Sequence, residues 1–337
     1  MPRSGRPASP LPQRHGLDAV RLCTPVDRRW STMREHLVER LGHRVGAAGV
    51  EAMLAERRVV GLTGPITRDT AYEPGTYLWF HRELPVEAPV PFPIGIVYRD
   101  ERIVVVDKPH FLATIPRGRH VVETALVRLR HDLGLPDLSP AHRLDRATAG
   151  LLMFVVQRGH RGAYQTLFRD RGITKTYEAV APHDPGLELP RTVRSRIVKE
   201  RGVIRAYETD GPPNAETHVE LLEHRAGLGR YRLRPATGRT HQLRLHMSGL
   251  GVPIRGDDLY PEVRERALDD YREPLQLLAA ELAFTDPLTG AQHRFKSLRP
   301  LTAWSAVDDQ PSDMSISDAP VSGETLCDAE ATLIPEL

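Results

Sequence analysis

A series of short apolar segments separated by polar turns, between residues 94 and 304, constrains the fold more than any other feature of the sequence. Segments of this length, bounded by Gly, Pro, Asn, Asp or Ser, are typical of strands. Helical spacing occurs at Val121–Asp132 and from near Thr240. Because strands outnumber helices and most are joined by short turns, we predict an α+β domain with a mixed, mostly antiparallel sheet and flanking helices. The predicted strands are Ile96–Tyr98, Ile103–Asp107, Leu151–Val156, Thr174–Ala181, Thr192–Val198, Thr217–Leu222, Tyr231–Arg234, Leu277–Phe284 and Gln292–Phe295.

The segment Val86–Pro93 separates this domain, residues 94–304, from the preceding part of the chain. Its prolines lack amide donors and fix φ, so it can hold neither a helix nor a central strand, and we interpret it as a linker. Residues 18–85 contain two predicted helices, Thr32–Leu41 and Gly49–Glu56, and then turn-rich β structure. This order predicts a small α+β module that resembles the alpha-L RNA-binding module. The alternative is a generic α+β lead-in.

Charge is distributed unevenly along the chain. The net charge is +2, yet residues 306–337 contain eight acidic residues and no Lys or Arg, which leaves +10 for the remainder. Residues 305–337 are also rich in Ser and Pro, and we predict an acidic disordered tail there and a disordered start at 1–17. A basic folded part is typical of a protein that binds nucleic acid.

The sequence carries no signal for a membrane or for secretion. No apolar stretch approaches the roughly 20 residues that cross a bilayer, and the first residues lack the apolar core of a secretory signal. Cys23 and Cys327 lie far apart, so neither a disulfide framework nor a zinc site can be built from them. We therefore expect a cytoplasmic protein with no membrane partner.

The first segment that can carry chemistry is the run 142–151, His-Arg-Leu-Asp-Arg-Ala-Thr-Ala-Gly-Leu. Asp145 stands at a loop-to-strand junction, from which a side chain can project off a rigid sheet. We expect Arg143 and Arg146 to keep the acid ionised, as a nucleophile requires. The alternative is a turn aspartate in a surface salt bridge.

The second segment is the run 237–246, Thr-Gly-Arg-Thr-His-Gln-Leu-Arg-Leu-His. Thr240 can cap the helix that follows, and Arg244 and His246 would then project from its first turns. His241 and His246 are not at the spacing of a zinc-protease helix, so we predict no metal site here. The alternative is an ordinary helix start with basic residues facing solvent.

The third segment is the run 175–180, Lys-Thr-Tyr-Glu-Ala-Val. Strand alternation puts Lys175, Tyr177 and Ala179 on one face. Taken alone, a tyrosine in a strand is explained equally well by core or edge packing.

Together, the three segments resemble the RluA-type pseudouridine synthase family in identity, order and approximate spacing. Further matches are Asp107-Lys108-Pro109, the run 253–260 (Pro-Ile-Arg-Gly-Asp-Asp-Leu-Tyr) and the run 286–290 (Asp-Pro-Leu-Thr-Gly). The resemblance covers roughly residues 93–300. It implies the pseudouridine synthase fold for the domain at 94–304.

The resemblance also implies an activity: isomerisation of specific uridines in rRNA or tRNA, with no cofactor or metal and with RNA as the partner of a monomer. Asp145 matches the catalytic acid, which either attacks carbon 1 of the ribose or starts a glycal route. Arg244 matches the residue that pairs with that acid. Tyr177 matches the ring that stacks on the target base and can assist deprotonation at carbon 5. Arg143 matches a position that can fill the stack after the base is flipped out. The substrate-binding residues implied are His142, Arg143, Arg146, Lys175, Arg239, His241 and Gln242.

Two other classes of protein stay open at this point. One is a catalytically silent RNA-binding protein on the same fold, and the other is a metal-dependent nuclease that uses Asp257, Asp258 and histidines.

The basic run Arg191–Arg205 can bind backbone phosphates or form a solvated hairpin face. Departures from the family pattern at Ala149, Pro261, Leu278 and Asp286 leave the RNA target open.

Overall fold

The computed structural model describes residues 7–27, 29–84 and 86–308 of the chain. The strands are β1 Val20–Cys23, β2 Tyr77–Phe80, β3 Gly95–Arg99, β4 Ile103–Lys108, β5 Ser139–Pro140, β6 Ala149–Val155, β7 Ile173–Pro182, β8 Arg191–Val198, β9 Tyr207–Thr209, β10 Ala215–Arg225, β11 Leu228–Pro235, β12 Leu277–Thr285 and β13 Gln292–Lys296. The α-helices are α1 Met33–Ala55, α2 Ala125–Leu133, α3 Arg161–Arg169, α4 Gln242–Gly249 and α5 Thr302–Asp308.

One sheet contains β3 to β13 in the order β3-β4-β6-β12-β7-β11-β10-β8-β9, with β13 on β12 and β5 on β6. The pairing of β6 with β12 is parallel, and the other pairings in this sheet are antiparallel. This confirms the predicted α+β class with a mixed, mostly antiparallel sheet. Each strand predicted for the domain at 94–304 is present, while β1, β2, β5, β9, α3 and α5 were not predicted.

Helices cover both faces of the sheet. On β4, Val104 and Val106 pack in a cluster with α2, whereas Ile103 and Val105 pack with Tyr164 of α3. A strand that is buried on both faces is apolar throughout rather than alternating, which explains the unbroken apolar run here. Along the sheet, α4 packs on β7, β10 and β11, and α5 packs on β12.

The N-terminal unit has its own small core. Strands β1 and β2 pair antiparallel, and α1 packs on them through residues such as Met33 and Leu37. Thr32 begins α1 by accepting the N–H of Glu35 at 3.2 Å. The backbone leaves helical geometry at Gly46, where φ is 73°, so the two predicted helices correspond to the two halves of α1. The β structure predicted after α1 is instead made of turns and isolated bridges until β2 begins.

The predicted linker has no regular secondary structure but is fastened to the domain. The Glu87 carboxylate accepts the N–H groups of Val121 and Val122 at 2.8 Å each, just before α2. On α2, Arg128 donates to the carbonyl oxygens of Val90 and Phe92. The segment therefore holds a defined path between the N-terminal unit and the sheet.

Both chain ends differ from the expected disorder where they are described. Gln13 donates to the Pro136 carbonyl at 2.8 Å, Arg130 donates to the Gly16 carbonyl at 3.1 Å, and Leu17 is buried. Helix α5 includes residues 305–308 of the predicted tail. Residues 1–6 and 309–337, on which the rest of that prediction falls, lie outside the described part. Within the described ranges, no helix combines the length and the apolarity needed to cross a bilayer.

Candidate active site

A cleft of about 1200 Å³ opens where the loop before β6, the face of β7 and the start of α4 meet. All the site residues predicted from sequence line it: Asp145, Tyr177, Arg244, His142, Arg143, Arg146, Lys175, Arg239, His241 and Gln242. Its basic residues are Arg117, Arg143, Arg146, Arg169, Arg171, Lys175, Lys199, Arg239 and Arg244. Asp145 is the one carboxylate among the described lining residues. The cleft is therefore suited to a polyanion and offers it one acidic group.

Asp145 lies in a loop, residues 141–148, whose backbone is held on both sides of the acid. The Thr114 hydroxyl donates to the Leu144 carbonyl at 2.7 Å and accepts the Leu144 N–H at 3.1 Å. The His110 ring donates from Nδ1 to the Ala147 carbonyl at 2.7 Å. The Asp145 side chain is 37% exposed, and no hydrogen bond joins it to another side chain within the described ranges. The backbone is fixed and the carboxylate is left available.

Gly150 allows this loop to enter the sheet. Its φ is 107°, and a Cβ there would lie 2.4 Å from the Ala279 carbonyl oxygen of β12. The residue stands at the parallel pairing of β6 with β12, so a larger side chain would push the two strands apart.

Lys108 is a buried cation near the acid, and sequence reasoning assigned it no role. Its ammonium donates to the carbonyls of Pro109 at 2.9 Å, Leu112 at 2.8 Å and Arg146 at 3.4 Å. Burial lowers the pKa of Lys108 to about 7, although the Asp145 charge acts in the opposite direction. The Asp-Lys-Pro match was the sequence signal for this residue. Its structural contribution is to hold the far end of the Asp145 loop.

The two arginines beside Asp145 in sequence do not pair with it, contrary to our expectation. Arg146 donates to the Leu268 carbonyl at 2.8 Å and lies over the Phe111 ring, and Arg143 is exposed at the cleft. Among the described Lys, Arg and His side chains, His241 is the one within ion-pair distance of the acid, with 4.0 Å between its Nε2 and Asp145 Oδ2.

Arg244 does not form the predicted ion pair with Asp145. Its Nε donates to Asp257 Oδ2 at 2.7 Å, and its Nη2 donates to Asp257 Oδ1 and, at 2.9 Å, to Asp258. Burial alone would lower the pKa of Arg244, but these hydrogen bonds and the charges of Asp257, Asp145 and Asp258 raise it. The planar guanidinium forms two parallel hydrogen bonds with the Asp257 carboxylate, so Arg244 pairs with Asp257 rather than with Asp145. Asp145 interacts with the charge of Arg244 at a distance but makes no hydrogen bond to it.

The start of α4 differs from the predicted capping by Thr240. The N-cap is His241, which has φ 58° and makes no side-chain capping bond. Gln242 fixes this turn instead: its Oε1 accepts from Thr237 and from the Arg239 N–H, and its Nε2 donates to Glu216 O and Thr217. Because the amide of Gln242 is fully used in this way, its predicted contact with substrate is replaced by a role in holding the loop.

The cleft face of β7 carries Lys175 and Tyr177, as strand alternation predicts, while Ala179 is buried. Burial, and secondarily the Asp145 charge, raise the pKa of Tyr177, so its hydroxyl stays protonated at neutral pH. Burial also disfavours the charged form of Lys175 and so lowers its pKa. Tyr177 therefore offers a neutral aromatic ring beside the carboxylate.

The other predicted contacts differ in how available they are. His142 stacks on Phe168 at 4.5 Å, and its Nε2 accepts the Met153 N–H at 3.1 Å, so the ring is engaged in holding the loop on β6. Arg239 donates to the Asn214 carbonyl at 3.2 Å and is exposed. Arg143 makes no hydrogen bond or ion pair with another described residue and is therefore available to a ligand.

The residues on which the nuclease alternative depends are engaged elsewhere, since Asp257 and Asp258 bind Arg244. His246 is buried, with one ring nitrogen bonded to Thr217 and the other to Ser195.

Of the departures from the family pattern, Leu278 pairs with Ala149 inside the sheet. Asp286 is buried and accepts from the Tyr164 hydroxyl at 2.7 Å.

We expect the free energy of unfolding to decrease as the pH falls from 7 to 4. Burial lowers the pKa of His142 to about 3 and that of His110 to about 4. In the unfolded chain both rings titrate near about 6.5, so between these values the unfolded state binds protons that the folded state does not. The stability is fully present above that range and is lost as the pH falls through it. Urea unfolding at several pH values measures the slope.

His142→Gln, whose amide can still accept the Met153 N–H, should flatten that slope. His131→Gln, at an exposed position, is the matched control and should leave the slope as it is. A slope that His142→Gln does not change would contradict a neutral buried ring at this position.

Comparison with known proteins places this geometry among RNA-modifying enzymes. Residues 102–249 match the family model for RNA pseudouridylate synthase. The chain is 31% identical over 219 residues to the dual-specificity RNA pseudouridine synthase RluA of Haemophilus influenzae, covering 60% of this chain and 92% of the relative. It is 34% identical over 210 residues to the protein of the same name from Escherichia coli, covering 60% and 91%.

A solved structure supports the same fold. The human protein titled RNA Pseudouridylate Synthase Domain Containing 4 superposes with a TM-score of 0.50 at 25% identity, covering 64% of this chain and 92% of that one. The segment matched by the family model includes the Asp145 loop, β7 and α4, which are the elements that line the cleft.

Proposed function

The chain belongs to the RluA-type RNA pseudouridine synthases and is an isomerase that acts on RNA, and from this premise we propose that it converts specific uridines of rRNA or tRNA with Asp145 as its essential carboxylate. The observation that carries the proposal is the isolation of Asp145. It is the one acid among the described residues of a basic cleft, on a loop fixed at both ends, and its carboxylate makes no competing side-chain hydrogen bond there.

A carboxylate in this position has two routes open to it. As a nucleophile, it attacks carbon 1 of the ribose and releases the base, which turns and rejoins through carbon 5. In the glycal route, it instead removes a proton from the sugar. Both routes need the carboxylate form of the acid, and the buried Arg244 guanidinium places a positive charge near it.

Tyr177 is proposed to stack on the target base. Its pKa is raised by burial, which makes the hydroxyl a poor base at neutral pH and leaves the ring face as its useful surface. The base must leave its stack to reach Asp145, at a cost of about a few kcal/mol. Arg143, exposed at the cleft and without a described partner, is the residue we propose to fill the vacated place.

The cations around the cleft are proposed to contact RNA phosphates, with Lys175 and Arg239 as the predicted residues that remain accessible. The reaction transfers the base within one molecule and needs neither a redox group nor a metal, so we propose none. A monomer acting in the cytoplasm is consistent with these substrates. The names of the bacterial relatives, which describe a dual-specificity RNA enzyme, motivate testing rRNA and tRNA together.

The proposal is tested with rRNA and tRNA transcripts that carry tritium at carbon 5 of uridine. Purified protein should release tritium without added cofactor, because carbon 5 exchanges its hydrogen for the bond to the ribose. Mapping pseudouridine in the treated transcripts then identifies the target. Absence of release from both RNA classes would contradict the proposed substrates, and release that needs an added metal would contradict the chemistry.

A further inference from the structure

His241 makes a bond that fixes the position of the proton on its ring. Its Nδ1 lies 3.0 Å from the Tyr260 hydroxyl. That hydroxyl also accepts the Ala206 N–H at 2.9 Å and donates to the Ala206 carbonyl at 2.8 Å. A hydroxyl has one hydrogen, and the Ala206 carbonyl can only accept it. The remaining lone pair of Tyr260 must therefore receive a hydrogen from His241 Nδ1.

The position of Tyr260 is set by its surroundings, so this assignment does not depend on a mobile side chain. Ala206 is buried, and the Arg205 guanidinium beside it donates to the Pro261 carbonyl at 2.9 Å. The Arg244 guanidinium lies over the Tyr260 ring at 5.4 Å. The ring and hydroxyl are held from three directions, and the His241 tautomer is held with them.

The other ring nitrogen faces the catalytic carboxylate. His241 Nε2 lies 4.0 Å from Asp145 Oδ2, and the side chain is 11% exposed at the cleft. Burial lowers the pKa of His241, although Asp145 and Asp257 oppose the shift, and Arg244 and Lys199 reinforce it. At neutral pH the ring is therefore neutral, and an unprotonated nitrogen and a carboxylate oxygen, both acceptors, share one small space.

The backbone at His241 supports a functional reading. Its φ of 58° lies in the left-handed region, which is uncommon for residues other than glycine and persists where the surroundings enforce it. The ring lines the cleft from this position, the N-cap residue that precedes α4.

We propose that His241 determines specificity for ribose: its Nε2 accepts a hydrogen bond from the 2′-hydroxyl of the target uridine, and Tyr260 maintains the tautomer that permits this. The inference rests on the proposed function, which brings carbon 1 of the ribose to Asp145. The 2′-hydroxyl is on the adjacent carbon and is the donor of the nucleotide nearest to that reaction centre. A hydroxyl that donates to Nε2 leaves both oxygens of Asp145 open. The same hydroxyl distinguishes RNA from DNA.

The test compares synthetic stem-loops with uridine or 2′-deoxyuridine at a position that the wild-type protein converts. We expect wild-type kcat/KM to favour uridine by roughly tenfold to hundredfold, as loss of one hydrogen bond to a buried partner implies. His241→Asn should reduce this preference to about one by lowering kcat/KM for uridine. Asn can still donate to Tyr260 and tolerates positive φ, but it has no acceptor at the position of Nε2. His241→Gln, whose Oε1 can reach that position, should recover part of the preference.

Binding measured in the Asp145→Asn background gives a readout that does not need turnover. Fluorescence anisotropy with the same two stem-loops should show a preference for uridine that His241→Asn removes. An equal loss on both stem-loops, or an unchanged preference in a folded His241→Asn protein, would overturn the proposal. Full turnover by Asp145→Asn would instead overturn the proposed function, so the two failures are distinguishable.

Discussion

Replacing Asp145 with Asn is expected to abolish tritium release from uridine-labelled RNA, with turnover reduced about 10⁴-fold or more, as removal of a nucleophile implies. An amide can neither attack carbon 1 of the ribose nor remove a proton from the sugar, so both routes fail. RNA binding should persist or tighten, because the change removes a negative charge from a basic cleft. Single-turnover kinetics on the transcript identified by pseudouridine mapping measures the effect, with RNA binding measured separately.

The structure predicts that this variant folds normally. The Asp145 carboxylate makes no side-chain hydrogen bond within the described ranges, so Asn should change the free energy of unfolding by no more than about 0.5 kcal/mol. Asp269→Asn, at an exposed position, is the matched control and should keep wild-type turnover. Turnover by Asp145→Asn within tenfold of wild type would remove Asp145 from the chemistry and leave the cleft as a binding site.

The strands could be predicted because their patterns are local. The length of each apolar segment and the turns that bound it can be seen in the sequence itself. The run at 103–106 is apolar throughout because β4 is buried on both faces. The missed elements are short or depend on tertiary contacts. Strand β5 has two residues, β9 has three, and α3 fully buries Tyr164 alone along its length.

The membership of the site could be predicted, but not its pairings. The resemblance identified ten lining residues by number, since each belongs to a motif that is contiguous in sequence. The pairings depend on contacts between segments that are distant in sequence. Arg244 pairs with Asp257 on a following loop. Thr114 and Lys108, which precede the Asp145 loop in sequence, donate hydrogen bonds to its backbone. Sequence adjacency suggested Arg143 and Arg146 as partners of the acid, but Arg146 donates to the Leu268 carbonyl and Arg143 is exposed.

Replacing Arg244 with Lys is expected to destabilise the protein by about 1–3 kcal/mol and to lower turnover about 10²-fold. An ammonium cannot reproduce the two parallel bonds to Asp257, whose side chain is 1% exposed and would lose a hydrogen bond in a buried site. Thermal unfolding and single-turnover tritium release measure the two effects. Arg294→Lys, which alters an exposed pair with Glu281, is the matched control and should change neither.

Asp257→Asn separates the two ways in which Arg244 can act. If Arg244 works mainly through the loop that it holds, Asp257→Asn should lower turnover to within about tenfold of Arg244→Lys, because a displacement of about 1 Å at a reacting centre is enough for such a loss. Asp257 Oδ1 also accepts the N–H groups of Leu259 and Tyr260, so the change reaches the ring that orients His241. If Arg244 instead acts directly on Asp145, Asp257→Asn frees the guanidinium for that acid and turnover survives. The bidentate pairing with Asp257 favours the first outcome. Catalysis then depends on the positions of the loops that form the site, and a direct ion pair between Arg244 and Asp145 is not required.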